Sequence, residues 1–475
     1  MRKHRGVAIL AVSLFLLDGM FAANEVDGEV IKAARCSRQD VQKAVDAARA
    51  GDTVLVPPGT ATWNTGLSIG KGITLKSAGI DKTTLVNGGP ISHQDFLVVY
   101  DPDSPESDEP FRITGFTLDG ASDGGGIMLA NKSTDHLVDK VRVDRNKFVF
   151  CRKSTHPTSM RAVKFYGLVY GLVDHNIVVD CRPAFGFYGR NDASWKFPLE
   201  IGSDRYLYFE DNNISGADVF LGGGWGGRFV FRYNAVDNHR GYNVLDAHGN
   251  LQNDGNPLGL RGTVGCEIYG NVFSLGRKNC RLMDIRGGTC IMFENRLTGE
   301  GVTARNVSIL LREEDCHPRS NLKTTYPGYD PVKDTYIWNN TCNGKLITPA
   351  VEEFSGKYAM IKLGRDYWLE PPDAAFYTPY SYPHPLTLLD VQEAGTVLLL
   401  HFDESKGGLL VDASGRRHDM ALPPGLTLVL GRFGRACRLN GKQSLECLVE
   451  EMEAGAGVRK MYDAGGIRED RCFGV

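Results

Sequence analysis

An aspartate and a histidine lie two residues apart in the segment NVLDAHG, residues 243–249. Residues two apart in a β-strand project on the same face of a sheet, so Asp246 and His248 would stand side by side. Gly249 would end the strand. A carboxylate beside an imidazole is suited to proton transfer, and the strands next to this one decide what the pair does.

Five segments share the pattern apolar–x–apolar–z–Gly, namely VKFYG, FGFYG, VFLGG, LDAHG and MDIRG, and ILLRE keeps all of it except the glycine. If these strands stack in register about 4.8 Å apart, the x and z side chains form two outward columns. The x column is Lys164, Gly186, Phe220, Asp246, Asp284 and Leu310. The z column is Tyr166, Tyr188, Gly222, His248, Arg286 and Arg312. Asp246 would therefore lie over Asp284, and His248 over Arg286.

These columns allow β-elimination from a uronate sugar. Arg286 and Arg312 would neutralise the carboxylate of the uronate. Alternatively, Asp246 and Asp284 would hold a Ca²⁺ ion that does so. His248, or an arginine with a lowered pKa, would then take the proton next to that carboxylate.

The same residues allow two other interpretations. In a glycoside hydrolase, repulsion between Asp246 and Asp284 would separate their pKa values, so that one is the acid and the other the base or nucleophile. In the other interpretation, the Asp–Arg ladder is a solvated face that only stabilises the stacking of the strands.

The rest of the outward face predicts a groove for an extended polymer such as a polysaccharide. Polar groups and aromatic rings continue along it, and the turns GRNDASW and DNHRGYN would add to its wall. The predicted substrate-binding residues are Lys164, Tyr166, Tyr188, Arg190, Asp192, His239 and Arg240.

A repeated asparagine predicts the elements that hold these columns. Apolar residues surround an Asn in seven segments, at intervals from 22 residues (Asn212 to Asn234) to 45 residues (Asn295 to Asn340). Such a repeat indicates a solenoid whose coils must stack to bury their apolar faces. Each Asn would bond the backbone of its turn and the neighbouring asparagines. They are Asn146, Asn176, Asn212, Asn234, Asn271, Asn295 and Asn340.

Two cysteine pairs fit the same register. Cys151 and Cys181 each follow their Asn by five residues, and Cys266 and Cys290 each precede theirs by five. The spacing of stacked strands lies within the Cα separation that a disulfide accepts. These sulfurs would either bond or stack as small apolar groups.

The segment SRQDVQKAVDAARAG predicts a capping helix, with Ser37 as its N-cap and Gly51 after its end. The helix would cover the open end of the solenoid. Its apolar face is Val41, Ala44, Val45 and Ala48.

Three features carry a family resemblance: the opening DVQKAVDAARAGDTVLVPPGTATW with ITLKSAG, the Asn-turn repeats, and the closing YTPYSYPHPL. Over residues 36–386 the chain resembles secreted right-handed parallel β-helix proteins of the pectin-lyase-like superfamily. The resemblance implies an all-β fold, a right-handed parallel β-helix with an N-terminal capping helix. It leaves the activity open, because that superfamily holds lyases, hydrolases, epimerases, tailspikes and adhesins.

The motifs of particular branches narrow the activity. The Asp-Asp pair and Gly-His-Gly of the polygalacturonase type are absent, so a polysaccharide lyase is favoured over a glycoside hydrolase. No signature of calcium-dependent pectate lyases matches residue by residue. A non-catalytic glycan-binding or adhesin-like surface protein therefore stays open as the alternative from another class.

The two ends of the chain predict export and a second module. Residues 1–23 combine a basic start, an apolar run and small residues, which is typical of a signal peptide and a secreted or periplasmic protein. Residues 387–395 form a linker, and residues 396–447, with LLLHFDE and GRFGRACRLNG, resemble a partial concanavalin or laminin-G-type jellyroll. The irregular tail at 448–475 suggests a truncation or a change of reading frame near Cys447.

Composition limits the partners. A net charge of -3 over 475 residues argues against nucleic acid. After the signal peptide no segment is long and apolar enough to span a membrane. The 11 cysteines fit an oxidising compartment.

Overall fold

A computed structural model describes residues 28–89, 96–153, 161–219, 221–239, 241–250, 261–313, 329–352 and 361–388, and four short strands after residue 408. The predicted signal peptide at 1–23, Phe220, Arg240 and the tail at 448–475 lie outside the described residues.

Most of the described chain lies in three sheets, here named A, B and C. Sheet A consists of β1 (Val30–Lys32), β2 (Thr53–Val56), β5 (Thr74–Ser77), β8 (Phe111–Thr114), β11 (Val138–Asp144), β15 (Val169–Asp174), β18 (Leu207–Glu210), β20 (Arg228–Arg232), β23 (Gly265–Tyr269), β26 (Thr289–Phe293), β29 (Thr335–Trp338) and β33 (Tyr367–Trp368), in that spatial order. Sheet B consists of β3 (Gly59–Trp63), β6 (Thr83–Asn87), β9 (Thr117–Asp119), β12 (Lys147–Val149), β16 (Ile177–Val179), β19 (Asn213–Ser215), β21 (Ala235–His239), β24 (Val272–Leu275), β27 (Arg296–Thr298), β30 (Thr341–Cys342) and β31 (Lys345–Leu346).

Sheet C has two parts. The first consists of β4 (Leu67–Ile69), β7 (Phe96–Tyr100), β10 (Asp123–Asn131), β14 (Val163–Gly167) and β17 (Phe185–Tyr188), with β13 (Arg152–Lys153) pairing antiparallel to β10. The second consists of β22 (Asn243–Ala247), β25 (Cys280–Ile285), β28 (Val307–Leu311) and β32 (Ala350–Val351). The helices are α1 (Arg38–Ala47) and α2 (Asp192–Trp195), and single 3₁₀ turns cover Pro105–Ser107 and Pro385–Leu388.

The chain passes from sheet to sheet and returns one strand further along, so neighbouring strands in each sheet are parallel, apart from the antiparallel pairs β30–β31 and β10–β13. The pairs β11–β15, β12–β16 and β14–β17 illustrate this for successive coils. Inward residues such as Phe165, Phe187 and Ile214 are fully buried in one continuous apolar core. The parallel β-helix expected from the repeat is confirmed.

The predicted asparagine ladder is confirmed along the turn between sheets A and B. Asn212 Oδ1 accepts from the backbone N–H and the Nδ2 of Asn176, at 3.1 and 3.0 Å. Asn212 Nδ2 donates to the backbone carbonyls of Val173 and Glu210 and to Asn234 Oδ1, at 2.9, 3.0 and 2.9 Å. The same pattern joins Asn146 through Asn340. Because these side chains are buried, each satisfies backbone groups that water cannot reach.

The residue before each ladder asparagine has a left-handed backbone. The φ angle is +53° at His175, +56° at Asp211 and +56° at Tyr233, and Gly270 takes the same position at +67°. Non-glycine residues rarely adopt this region. The ladder therefore holds the corner in a conformation that most of these residues would not choose by themselves.

The capping helix is also confirmed. Ser37 caps α1 by accepting from the backbone N–H of Asp40 at 3.3 Å, and the expected apolar residues of the helix are buried against the first coil. Trp63 Nε1 donates to the carbonyl of Cys36 at 3.0 Å and fixes the entry to the helix.

Both cysteine pairs lie in register in the core. Cys266 pairs with Cys290 across β23 and β26, and the backbone N–H of Cys151 donates to Cys181 Sγ at 3.4 Å. All four are buried free thiols in this structure, so the sulfurs stack and are not bonded to each other.

Residues 373–388, here named the C-terminal strap, cross the outer face of sheet A. Tyr377 Oη donates to Glu267 at 2.7 Å, and Tyr382 Oη donates to Asp211 at 2.9 Å. Arg232 donates to the carbonyls of Tyr380 and Ser381, both at 2.8 Å. His384 N donates to Glu210 at 3.0 Å, and Arg142 donates to the carbonyl of Leu386 at 3.0 Å. The strap thus covers several successive coils.

After the strap, four short strands are described. They form two antiparallel pairs, β34 (Leu409–Leu410) with β35 (Met420–Ala421) and β36 (Thr427–Leu430) with β37 (Arg435–Arg438). These strands fall within the segment expected to be a partial jellyroll, which stays an expectation. Within the described residues, no helix has both the length and the apolar character needed to cross a membrane.

We predict that Asn212→Ala lowers the free energy of unfolding by roughly 3 kcal/mol or more, because it leaves buried backbone donors and acceptors without partners. Urea denaturation of the whole chain measures the change. The matched control is Asn213→Ala in the next position, whose side chain is half-buried outside the ladder. Equal losses for the two variants would contradict the role given to the ladder.

A second prediction concerns pH. Burial raises the pKa of Glu267 from 4.5 to about 7, so between those values the folded chain keeps a proton that the unfolded chain has released. Stability contributed by this proton is present at low pH and falls as pH rises to about 7, by up to about 3 kcal/mol. Glu267→Gln should remove that fall.

The measurement is the unfolding free energy of both proteins across this pH range. Glu294→Gln, which changes an exposed carboxylate in the turn after β26, serves as control and should follow the wild type. If the unfolding free energies of the wild type and Glu267→Gln change with pH in the same way, the raised pKa of Glu267 is contradicted.

Candidate functional site

The two outward columns of sheet C form largely as the sequence predicts. Asp246 pairs with Asp284 in β22 and β25, and Tyr166 pairs with Tyr188 in β14 and β17. Just past the strands, Arg286 N donates to the carbonyl of Ala247 at 3.0 Å. The strand ends of sheet C therefore bring these five residues onto one face of the sheet.

The register differs at Gly222. It pairs with Phe187 and Ala247, whereas the sequence pattern aligned it with Tyr188 and His248. The chain leaves the sheet here and forms the loop 222–227, which separates the two parts of sheet C. The pattern VFLGG was therefore misaligned by one residue, because a glycine-rich loop replaces a regular strand end.

Asp246 and Asp284 are buried beneath arginines. Arg286 binds Asp246 through two nitrogens, at 2.9 and 2.5 Å. Asp284 Oδ2 accepts from Arg281 at 2.7 Å and from Arg312 at 2.8 Å. Both aspartates are 0% exposed, which differs from the solvated outward charges expected from the sequence. Burial raises the pKa of Asp246, and Arg286 beside it opposes that rise.

This arrangement weighs against two of the sequence interpretations. A hydrolytic pair needs two carboxylates that reach the substrate, and these two carboxylates are covered by guanidinium groups. A Ca²⁺ site needs several convergent oxygens, but three cations already surround Asp246 and Asp284. Among the described residues no group of three or more His, Cys, Asp or Glu side chains converges on one point.

His248 lies half-buried at the end of β22. Its Nδ1 is 3.2 Å from the carbonyl of Gly249, and a neutral ring that donates there presents Nε2 as an acceptor. Thr263 donates to the backbone carbonyl of His248 through N and Oγ1, at 2.8 and 3.1 Å. The backbone position of the histidine is thus fixed from the next coil.

Lys164 and Tyr188 occupy the other side of the interruption. Lys164 Nζ lies 6.0 Å from the ring centroid of Phe96 and 5.8 Å from that of Tyr188. Burial, together with the smaller effect of the Arg161 charge, lowers the pKa of Lys164 to about 8. The phenol of Tyr188 accepts from Arg161 Nη2 at 2.6 Å.

Tyr166, Arg190 and Trp225 complete this zone. Arg190 Nη1 donates to Tyr166 Oη at 2.9 Å, and its guanidinium lies 5.7 Å from the Tyr166 ring centroid. The Trp225 ring centroid is 5.6 Å from that of Tyr166 and 5.2 Å from that of Tyr188. The two tyrosines, the tryptophan and the cations beside them form one cluster, here named the aromatic cage.

The remaining residues predicted to line the groove lie in different places. Asp192 is exposed at the start of α2 and pairs with Arg261 at 2.6 Å, so it lies beside the face as expected. His239 is 0% exposed at the end of β21 in sheet B. It does not line a groove wall, which corrects the sequence expectation, and burial lowers its pKa. Arg240 lies outside the described residues.

Four residues of the site are absent from the sequence prediction. Arg161 and Arg281 lie outside the x and z positions, so the pattern does not select them. Arg261 stacks between the rings of Trp195 and Tyr329, at 4.4 and 4.7 Å. Trp225 could have been noticed from the sequence, because it is a single large aromatic residue within the glycine run GGGWGG.

Two solved structures are similar to this chain. One is an alginate lyase from Paenibacillus sp. strain FPU-7, 13% identical, with a TM-score of 0.38 over 68% of this chain and 99% of that one. The other is the A-module of a mannuronan C-5 epimerase from Azotobacter vinelandii, 16% identical, with a TM-score of 0.34 over 66% of this chain and 85% of that one. Both the sequence identities and the TM-scores are low. They do not bear on the reaction. No family model and no curated protein matches the sequence.

We predict that Asp246→Ala lowers the free energy of unfolding by about 3–5 kcal/mol, because Arg286 loses the carboxylate that compensates its buried charge. The double variant Asp246→Ala/Arg286→Met should recover part of this loss. Urea denaturation measures both, with Asp237→Ala, an exposed carboxylate on β21, as the control. A loss no larger than that of the control would contradict a buried ion pair.

Proposed function

We propose that this chain cleaves an acidic, uronate-containing polysaccharide by β-elimination, with the polymer lying along the strand ends of sheet C. The observation that carries this proposal is the contrast between the two parts of the face. The aromatic cage gathers arginines, a lysine and two phenols, whereas Asp246 and Asp284 are buried beneath arginines. A cationic face suits a polyanion, and elimination needs no exposed pair of carboxylates.

β-Elimination from a uronate needs three kinds of group. A cation must neutralise the carboxylate, so that the neighbouring C5 proton becomes more acidic, and a base must then take that proton. The electron pair of the C5–H bond forms the C4–C5 double bond as the bond from C4 to the glycosidic oxygen breaks. An acid gives a proton to that leaving oxygen.

The aromatic cage offers a candidate for each role. We assign Lys164 as the base, because its lowered pKa of about 8 lets a useful fraction of the amine be neutral near neutral pH. Arg190, which is half-buried, would bind the uronate carboxylate. Arg161 is 0% exposed and would act as a positioning residue by holding the Tyr188 phenol. Tyr188 would be the acid, since its oxygen accepts from Arg161 and its own O–H remains to be donated.

The residues first selected from the sequence have a place in the same proposal. His248 is the second candidate base, and it lies on the other side of the interruption in sheet C. Arg286 and Arg312 would add positive potential for the polymer while they hold Asp246 and Asp284, which makes these aspartates positioning residues. Tyr166 and Asp192 would contact the polymer from the edges of the face.

The location of the protein belongs to the same proposal. A signal peptide at 1–23 would bring the chain to polymers outside the cell. Binding of a glycan without cleavage is the alternative that the following experiment separates from a lyase.

We predict that Lys164→Ala lowers kcat by about 10²–10⁴-fold on the polyuronate that the wild type cleaves. The whole chain is incubated with pectate, alginate and glycosaminoglycans, with and without Ca²⁺, and the ultraviolet absorbance of unsaturated uronate ends is followed. Wild-type activity should rise with pH through about 8 and level off above it, because Lys164 acts as a base only after losing its proton. Lys345→Ala, an exposed lysine on β31, is the control.

The other outcomes each contradict part of the proposal. New reducing ends without unsaturated products would mean hydrolysis. Binding without either product would mean a glycan-binding protein. If the Lys164→Ala variant keeps full elimination activity and the His248→Ala variant loses it, the base is His248 and not Lys164.

A further inference from the structure

The loop 222–227 occupies the gap between the two parts of sheet C. Gly189 N donates to the carbonyl of Gly224 at 2.9 Å, and Asn191 N donates to the carbonyl of Trp225 at 2.6 Å. On the other side, Trp225 N donates to the carbonyl of Arg261 at 2.7 Å. The loop is therefore held by the backbone of the coils on both sides.

The glycines of this loop are required by its close approach to its neighbours. A Cβ on Gly226 would lie 2.5 Å from Ser194 Cβ, and one on Gly223 would lie 2.7 Å from the Phe229 ring. Trp225 itself has a φ of +63°, a conformation that is costly for a bulky side chain. A tryptophan held in this conformation by its surroundings is typical of a functional position.

The surroundings of Trp225 match the chemistry of a uronate ring. Its half-buried side chain packs edge-on against Tyr166, at an interplanar angle of 85°, and obliquely against Tyr188, at 50°. Guanidinium groups bind both phenols, Arg190 on Tyr166 and Arg161 on Tyr188. An aromatic surface fits the C–H face of a sugar, and the half-buried guanidinium of Arg190 beside it fits the sugar carboxylate. Arg161 is 0% exposed and holds Tyr188 from beneath.

The position of Trp225 along the polymer follows from the register. Each coil advances by about 4.8 Å, which is similar to the advance of one sugar in a 1,4-linked chain. A polymer that follows the strand ends must pass from Tyr188 over the loop to His248. Gly224, next to Trp225, is close to both sides: its carbonyl accepts from the N–H of Gly189, the residue after Tyr188, at 2.9 Å. A Cβ on Gly224 would lie 3.4 Å from His248 Cβ.

We propose that Trp225 is a sugar-stacking platform that binds one uronate residue where sheet C is interrupted. The inference rests on the proposed function for the polymer it names, and it adds the subsite that joins the aromatic cage to the arginine-rich part of the face. Its effect is on binding, since Trp225 carries no group that exchanges protons with the substrate.

The test measures binding separately from cleavage. In the Lys164→Ala background, short oligosaccharides of galacturonate, mannuronate and guluronate are titrated by calorimetry and by tryptophan fluorescence. Trp225→Ala should weaken binding about tenfold, and Trp225→Phe less than that. Trp368→Ala, a half-buried tryptophan on sheet A, should change nothing. Far-ultraviolet circular dichroism and melting curves check that each variant is folded.

The outcomes distinguish this inference from the proposed function. Equal affinities of the Trp225→Ala variant and its parent, or no binding of any of these oligosaccharides by the parent, would overturn the platform. If the wild type and Trp225→Ala cleave the polymer equally well, the platform is overturned and the proposed lyase activity is kept. Binding that depends on Trp225 without any unsaturated product from the wild type would keep the platform and remove the lyase.

Discussion

The hydrogen-bonded ladder of asparagines is the constraint on which the rest of the molecule depends. Each amide bonds the corner of its own coil, the coil before it and the next amide in the stack, so the height and rotation of successive coils are fixed at this corner. Because the corner is fixed, the strands of sheet C arrive in register although the loops between them differ in length. The columns on the outer face are a consequence of that register.

Electrostatics then divides the outer face of sheet C into two parts. In the second part, charged groups satisfy each other out of water: Arg286 holds Asp246, while Arg281 and Arg312 hold Asp284. In the first part, Arg161 and Lys164 lie close enough for one charge to lower the pKa of the other. A bound polyanion would relieve such repulsion, which is the electrostatic basis of the substrate proposed above.

The repeating elements could be predicted from the sequence because they depend on short-range patterns. The ladder asparagines, the α1 cap at Ser37 and the stacking of Asp246 on Asp284 each follow from local spacing. The loop at 222–227 could not, since VFLGG fits a strand end as well as the neighbouring segments do. The burial of Asp246 also escaped prediction, because its cover comes from an arginine 40 residues away, in another coil.

The interruption of sheet C has a consequence for how the molecule unfolds. In a solenoid, stability is the sum of terms within coils and between neighbouring coils. At this point the described residues of sheet C form isolated bridges through Gly222 in place of a regularly paired strand. The boundary between two separately melting halves would fall there. The C-terminal strap bonds Arg142, Glu210, Arg232 and Glu267, which lie in coils before, beside and beyond the interruption. It thereby ties the two halves into a single cooperative unit.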